Sequence, residues 1–100
     1  MHAQIIRSST TREQRAEMTQ IVIEQVIPAL RDEPGCAGAL SFVDPESGDS
    51  MLIVLWTTAQ DACRPRAWHT PSLRDALSRM DALSTESAEP VTVWEVNLRV

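Results

Sequence analysis

Apolar positions alternate with period two along four short stretches and recur at helical spacing along two longer ones. Their order along the chain is β-α-β-β-α-β. Residues 2–9 read as the first strand, with Ile5 and Ile6 on opposite faces. Thr10 with Glu13, or Thr11 with Gln14, can form a capping box that opens the first helix. At about 100° per residue, Ala16, Met18, Val22, Ile23, Val26, Ile27, Ala29 and Leu30 share one broad face. Glu13, Glu17, Gln20, Glu24 and Pro28 lie opposite, and Ile21 falls among them. Ile21 reads either as a tolerated surface residue or as a contact with a partner subunit. Pro28 removes one helical hydrogen bond and bends the helix, and Pro34-Gly35 stops it.

Residues 36–43 read as a second strand, residues 44–49 as a turn, and residues 50–57 as a third strand. The third is apolar on both faces, with Leu52, Val54 and Trp56 on one and Met51, Ile53 and Leu55 on the other. A strand buried on both sides needs two covering layers. Thr57 or Thr58 can cap a short helix that Pro65 interrupts, and Thr70-Pro71 suits the start of a longer one. Leu73, Ala76, Leu77, Met80 and Leu83 form its apolar stripe. A polar loop, Thr85 to Pro90, leads to a final strand from Val91 to Val100. The fold class is therefore α+β, a ferredoxin-like subunit whose antiparallel sheet carries helices on one face only. The other face calls for cover, most simply a second copy of the chain, so a homodimer is expected.

A length of 100 residues makes this one domain spanning 1–100. The formal charge of -5 argues against nucleic acid and against anionic membrane surfaces as partners. No apolar run is long enough to cross a bilayer. The first residues do not resemble a signal peptide, so a cytoplasmic location with Cys36 and Cys63 reduced is expected. The two cysteines and two histidines lie at no recognised metal-ligand spacing, and three glycines form no phosphate or dinucleotide loop. Neither a metal nor a cofactor is expected.

The candidate chemical groups are few. Trp56, ending a core strand, can pack the core or stack on a flat ligand as a cavity wall. Trp94 reads as core. His69 can serve as a general base or sit exposed in a loop with Arg64, Arg66 and Trp68. Arg74, on the flank of the second helix's stripe, can pair with an anion or form a surface ion pair. Glu95 and Asn97 share a face of the last strand. Glu95 reads as an interface carboxylate, with Arg7 or Arg99 as its partner.

Several segments together resemble the antibiotic biosynthesis monooxygenase-like (ABM) family of the dimeric α+β barrel superfamily. They are Val26-Ile27-Pro28-Ala29-Leu30-Arg31 with Glu33-Pro34-Gly35, then Gly38, then Ile53-Val54-Leu55-Trp56-Thr57-Thr58, and Ser72-Leu73-Arg74-Asp75-Ala76-Leu77. The resemblance implies two subunits packed sheet to sheet, each with a ligand cavity between its sheet and helices. It further implies a cofactor-independent monooxygenase acting on a small aromatic or polyketide-like substrate. Trp56 and Arg74 match the family's tryptophan and arginine, while its asparagine and tyrosine positions hold Leu52 and Ala62. In that reading His69 and Arg74 are catalytic, and Trp56, Trp68 and Phe42 bind the substrate. The haem-degrading branch fits poorly, because Gln4 and Arg7 stand where a strand-one asparagine is needed and Trp68-His69 precede the helix body. The alternatives are a non-catalytic small-molecule-binding or structural dimeric module, and an isomerase or cyclase that consumes no oxygen.

Overall fold

The computed structural model describes residues 1–84 and 91–97. Strand β1 (His2–Ser9) leads through a turn to helix α1 (Arg15–Ile21), a π-helical stretch (Val22–Val26) and helix α2 (Ile27–Arg31). Strands β2 (Cys36–Val43) and β3 (Asp49–Trp56) form a hairpin. Helix α3 (Ala59–Ala62), a 3-10 turn (Arg66–Trp68), helix α4 (Pro71–Leu83) and strand β4 (Thr92–Glu95) complete the fold. The sheet order is β2-β3-β1-β4, and each neighbouring pair is antiparallel. The loop expected over Thr85 to Pro90 and the end of the expected last strand, Arg99 included, lie outside the described residues.

Local chemistry explains the element ends. Thr11 Oγ1 accepts the Gln14 N–H at 3.3 Å, so the expected capping pair forms in the turn before α1 rather than at its N-cap. Thr58 caps α3 by accepting the Asp61 N–H at 3.1 Å. Gly35 sits at φ 84°, where a Cβ would also collide with the Asp61 carboxyl. That fixes the reversal from α2 into β2.

The first helical segment departs from a single α-helical period. Ile21 is buried, whereas Ile23 is 62% exposed and Ala16 is exposed, the reverse of the expected faces. The cause is the π stretch, in which the Ile27 N–H reaches back to the Val22 carbonyl. Pro28 follows directly and has no N–H to continue the α-helical ladder. A π turn holds more residues than an α turn. Met18, Ile21 and Val22, up to its first residue, therefore share a buried face with Val26, Ala29 and Leu30, from its last residue on.

The helices cover one face of the sheet. On that side Leu52, Val54 and Trp56 pack with Leu73, Ala76, Leu77 and Met80 of α4 and with the first helical segment. Strand register assigns the opposite face. Leu40 pairs with Ile53, Phe42 with Met51, Ile5 with Ile53 and Trp94 with Ala3, so these side chains all point away from the helices. Leu40 and Phe42 are each 51% exposed, and Trp94 is 60% exposed. Trp94 is thus not core in this subunit, and its indole N–H donates to Thr92 Oγ1 at 3.1 Å. Glu95 pairs with His2, which pairs with Trp56. It therefore shares the helix-side face, not the bare one expected of an interface carboxylate.

Candidate functional site

Where β3 ends, α2 turns into β2, and the segment after α3 folds back, a cavity of about 390 Å³ opens between sheet and helices. That volume suits a small organic ligand. Its walls are apolar along Ile6, Leu52, Val54, Leu73 and Leu77. Its polar end holds Gln4, Trp56, Arg64, Arg66 and His69. A slightly larger recess, about 420 Å³, lies among Arg7, Phe42, Asp49 and Met51 and contains neither histidine nor tryptophan. The smaller cavity holds the chemistry.

The polar end is built around Glu33, whose side chain is 1% exposed. Its Oε1 accepts from Arg64 Nη2 at 2.9 Å and from His69 Nδ1 at 3.1 Å. Its Oε2 accepts from the Thr70 hydroxyl at 2.7 Å and from the Thr70 N–H at 3.2 Å. Thr70 stands at the N-cap of α4, but its hydroxyl serves Glu33 and not the helix. Burial acts to raise the Glu33 pKa. The hydrogen bonds from Thr70 and His69, with the charge of His69 added whenever its ring is protonated, outweigh it and hold the carboxyl below its ordinary value. Glu33 is therefore a carboxylate that can only accept hydrogen bonds.

This settles the histidine tautomer. A bond to a carboxylate requires the proton on Nδ1, which leaves the lone pair of the neutral ring on Nε2. His69 is 8% exposed and stacks on Trp56, with ring centroids 5.9 Å apart and planes inclined by 13°. The buried, unpartnered side-chain nitrogens among the described residues are His2 Nδ1, Arg15 Nε and Arg64 Nε. His69 Nε2 is not one of them and has no partner among those residues, so it keeps some access to solvent, and His69 lines the cavity. Trp56 is held in turn: its indole N–H donates to Gln4 Oε1 at 3.0 Å, and the Arg64 guanidinium lies 5.5 Å from its ring centre.

No family model and no curated relative matches the sequence. Solved structures do match it. A candidate antibiotic biosynthesis monooxygenase from Bordetella bronchiseptica superposes with a TM-score of 0.80 at 17% identity, covering 97% of each chain. A second antibiotic biosynthesis monooxygenase gives 0.75 at 18% identity, over 96% of this chain and 98% of that one. A variant of SnoaB, a cofactor-independent oxygenase from Streptomyces nogalater, gives 0.73 at 15% identity, over 99% and 96%. The fold is that of the antibiotic biosynthesis monooxygenases.

Within this ABM fold the expected site residues separate into two groups. Trp56 and His69 come together at the cavity. Arg74 does not line it, and its Nη1 donates to the Ala67 carbonyl at 3.2 Å. Arg64 takes the position beside Trp56 instead. Trp68 is 72% exposed and Phe42 stands on the bare sheet face, so neither reaches the cavity. Leu52 and Ala62, at the asparagine and tyrosine positions of the resemblance, are both buried and form apolar wall. Cys36 and Cys63 are free thiols, and burial pushes the Cys36 thiol pKa up. Among the described residues no three side chains of His, Cys, Asp and Glu gather as metal ligands.

Glu33 was not singled out from the sequence as a functional residue, although a signal for it existed. A carboxylate at a helix C-terminus opposes the helix dipole. An acidic residue directly before Pro-Gly therefore implies compensation from elsewhere in the fold.

Proposed function

We propose that this protein is a cofactor-independent monooxygenase acting on a small aromatic or polyketide-like substrate bound beside Trp56. The observation that carries this reading is the Glu33–His69 pair, stacked on Trp56 at the wall of a largely apolar cavity, with His69 Nε2 left without a protein partner among the described residues. An aromatic ligand with an acidic C–H would lie in that cavity and lose a proton to Nε2. The Arg64 guanidinium would stabilise the resulting anion. The carbanion would then transfer electron density to dioxygen and form a C–O bond. Protonation gives a hydroperoxide, and loss of water leaves a carbonyl, so that a ring methylene and dioxygen become a ketone and water. One oxygen atom ends in product and the other in water, and the substrate supplies the electrons.

Anthrone, incubated with and without oxygen, tests the reading. The expected result is one mole of oxygen consumed per mole of quinone-type product, with no turnover anaerobically. Equal turnover without oxygen would overturn it and favour an isomerase or cyclase.

A second reading, a non-catalytic small-molecule-binding module, is favoured by Leu52 and Ala62, which line the cavity without polar groups. It predicts ligand binding with no product under either gas. In both readings a second copy covers the bare sheet face of Leu40, Phe42 and Trp94, giving a homodimer. Sedimentation at micromolar protein would give twice the 11.1 kDa chain mass. A single-chain mass would overturn that pairing.

A further inference from the structure

The charge around His69 limits what the cavity can hold. Glu33 and Arg64 neutralise one another at 2.9 Å. Arg66, also on the cavity wall, is paired with Asp81 of α4. Among the described residues, none that lines the cavity is Asp or Glu. Among the described wall residues the remaining titratable side chain is Cys63. His2 and Glu95 share the same sheet face at the strand ends. With neutral His69 the cluster of Glu33, Arg64 and His69 sums to zero. One proton on Nε2 makes it cationic, and a buried cation requires a counter-charge. No carboxylate among the described wall residues supplies one, and an anionic ligand would.

We propose that Glu33 and His69 form a proton-accepting dyad that lets the cavity take up an acidic aromatic hydroxyl compound as its anion. The phenolic proton passes to His69 Nε2, and the O–H bond breaks with its electron pair left on the ligand oxygen. The ring of the ligand lies against the apolar wall and Trp56. Glu33 is a positioning residue here: it keeps the proton on Nδ1 and holds the ring against Trp56, while the ligand anion balances the imidazolium once formed. This rests on the cavity being the ligand site, as in the function proposed above, but not on any reaction with oxygen.

4-Nitrophenol is a direct probe, because only its phenolate absorbs in the visible. At a pH one unit below the probe's own midpoint about a tenth of it is ionised. Saturating wild-type protein is expected to raise the phenolate band roughly threefold or more. His69→Asn keeps an N–H near the Nδ1 position to satisfy Glu33 but removes Nε2. It is expected to bind the probe, by quenching of tryptophan fluorescence, without raising the band. Glu33→Gln keeps the shape and removes the charge, and is expected to raise the band less than wild type does. Circular dichroism checks that each variant folds, and His69→Gln replaces His69→Asn if the latter does not. The proposal is overturned if wild type binds the probe as neutral phenol, if it binds none at millimolar concentration, or if the His69 variant keeps the enhancement. A protein that raises the band but consumes no oxygen with anthrone would sink the oxygenase reading and leave this one standing.

Discussion

The two faces of the sheet are made of similar material and used differently. The helix-side face carries Leu52, Val54 and Trp56 in near-complete burial, and it also holds a carboxylate, an imidazole and a guanidinium in one connected cluster. The opposite face carries Leu40, Phe42, Met51, Ile53 and Trp94, with no such cluster and no cover among the described residues. A buried carboxylate is stable only when its oxygens are well supplied with donors. Four hydrogen bonds meet that condition for Glu33. An apolar face left in water meets no such condition and suits association. One face thus borders a cavity under the helices, and the other presents an exposed apolar surface.

Substitutions can break this contrast, and the largest effect is expected at Trp56. Trp56→Ala should cost about 3–5 kcal/mol of unfolding free energy in urea titrations, as for other large buried aromatics. Trp68→Ala, at a 72% exposed site, should stay within about 0.5 kcal/mol. Comparable losses at the two sites would mean that Trp56 is not the wall of a packed cavity.

Glu33→Ala comes next. It leaves His69, Thr70 and Arg64 without their shared acceptor, and breaking a buried pair of this kind costs roughly 3 kcal/mol or more. The drop should appear in thermal melts together with loosening of the His69–Trp56 stack, seen in near-ultraviolet dichroism. On the bare face, Phe42→Lys and Trp94→Lys should abolish the proposed pairing while leaving far-ultraviolet dichroism of the chain intact. Retention of the paired mass by the double variant would show that another surface joins them.

Acid provides a milder test. The Glu33 pKa is lower in the folded chain than its ordinary value of 4.5, so its stabilising contribution is complete above that value. The contribution falls away as pH drops through the folded-state pKa. Wild-type stability should therefore decline below about pH 4.5, and Glu33→Gln should flatten that part of the profile. An unchanged slope in the variant would assign the acid sensitivity to other carboxylates. The smallest effect belongs to Arg66→Ala. Its pair with Asp81 is exposed at both ends, and such pairs contribute about 0–1 kcal/mol.

Much of this architecture was legible in the residue pattern, and the failures have identifiable causes. The hairpin strands could be read because Asp44-Pro45-Glu46-Ser47-Gly48 can only turn, and because apolar residues run unbroken along β3. The faces of the first helical segment could not, because a single helical period assumes α geometry throughout and the π stretch shifts the phase at Ile21 and Ile23. Trp94 read as core because an indole usually is buried, whereas the register with Ala3 turns it to the bare face. At the site, Trp56 and His69 were visible as chemical types. Their conjunction was not, since it depends on Glu33 meeting residues 31 to 37 positions further along the chain. Arg74 shares its chemical type with Arg64. Only the fold shows that one is tied to the Ala67 carbonyl while the other lies over the tryptophan.

The three tryptophans sample the two faces and the solvent separately. The indole N–H region of one proton–nitrogen correlation spectrum can therefore test the division of labour directly. Adding 4-nitrophenol at fixed protein concentration should shift the Trp56 signal and leave Trp94 and Trp68 in place. Dilution without ligand should shift Trp94 and leave Trp56. A ligand that moves Trp94 and not Trp56 would contradict the account, because the small molecule would then occupy the face reserved here for a second chain.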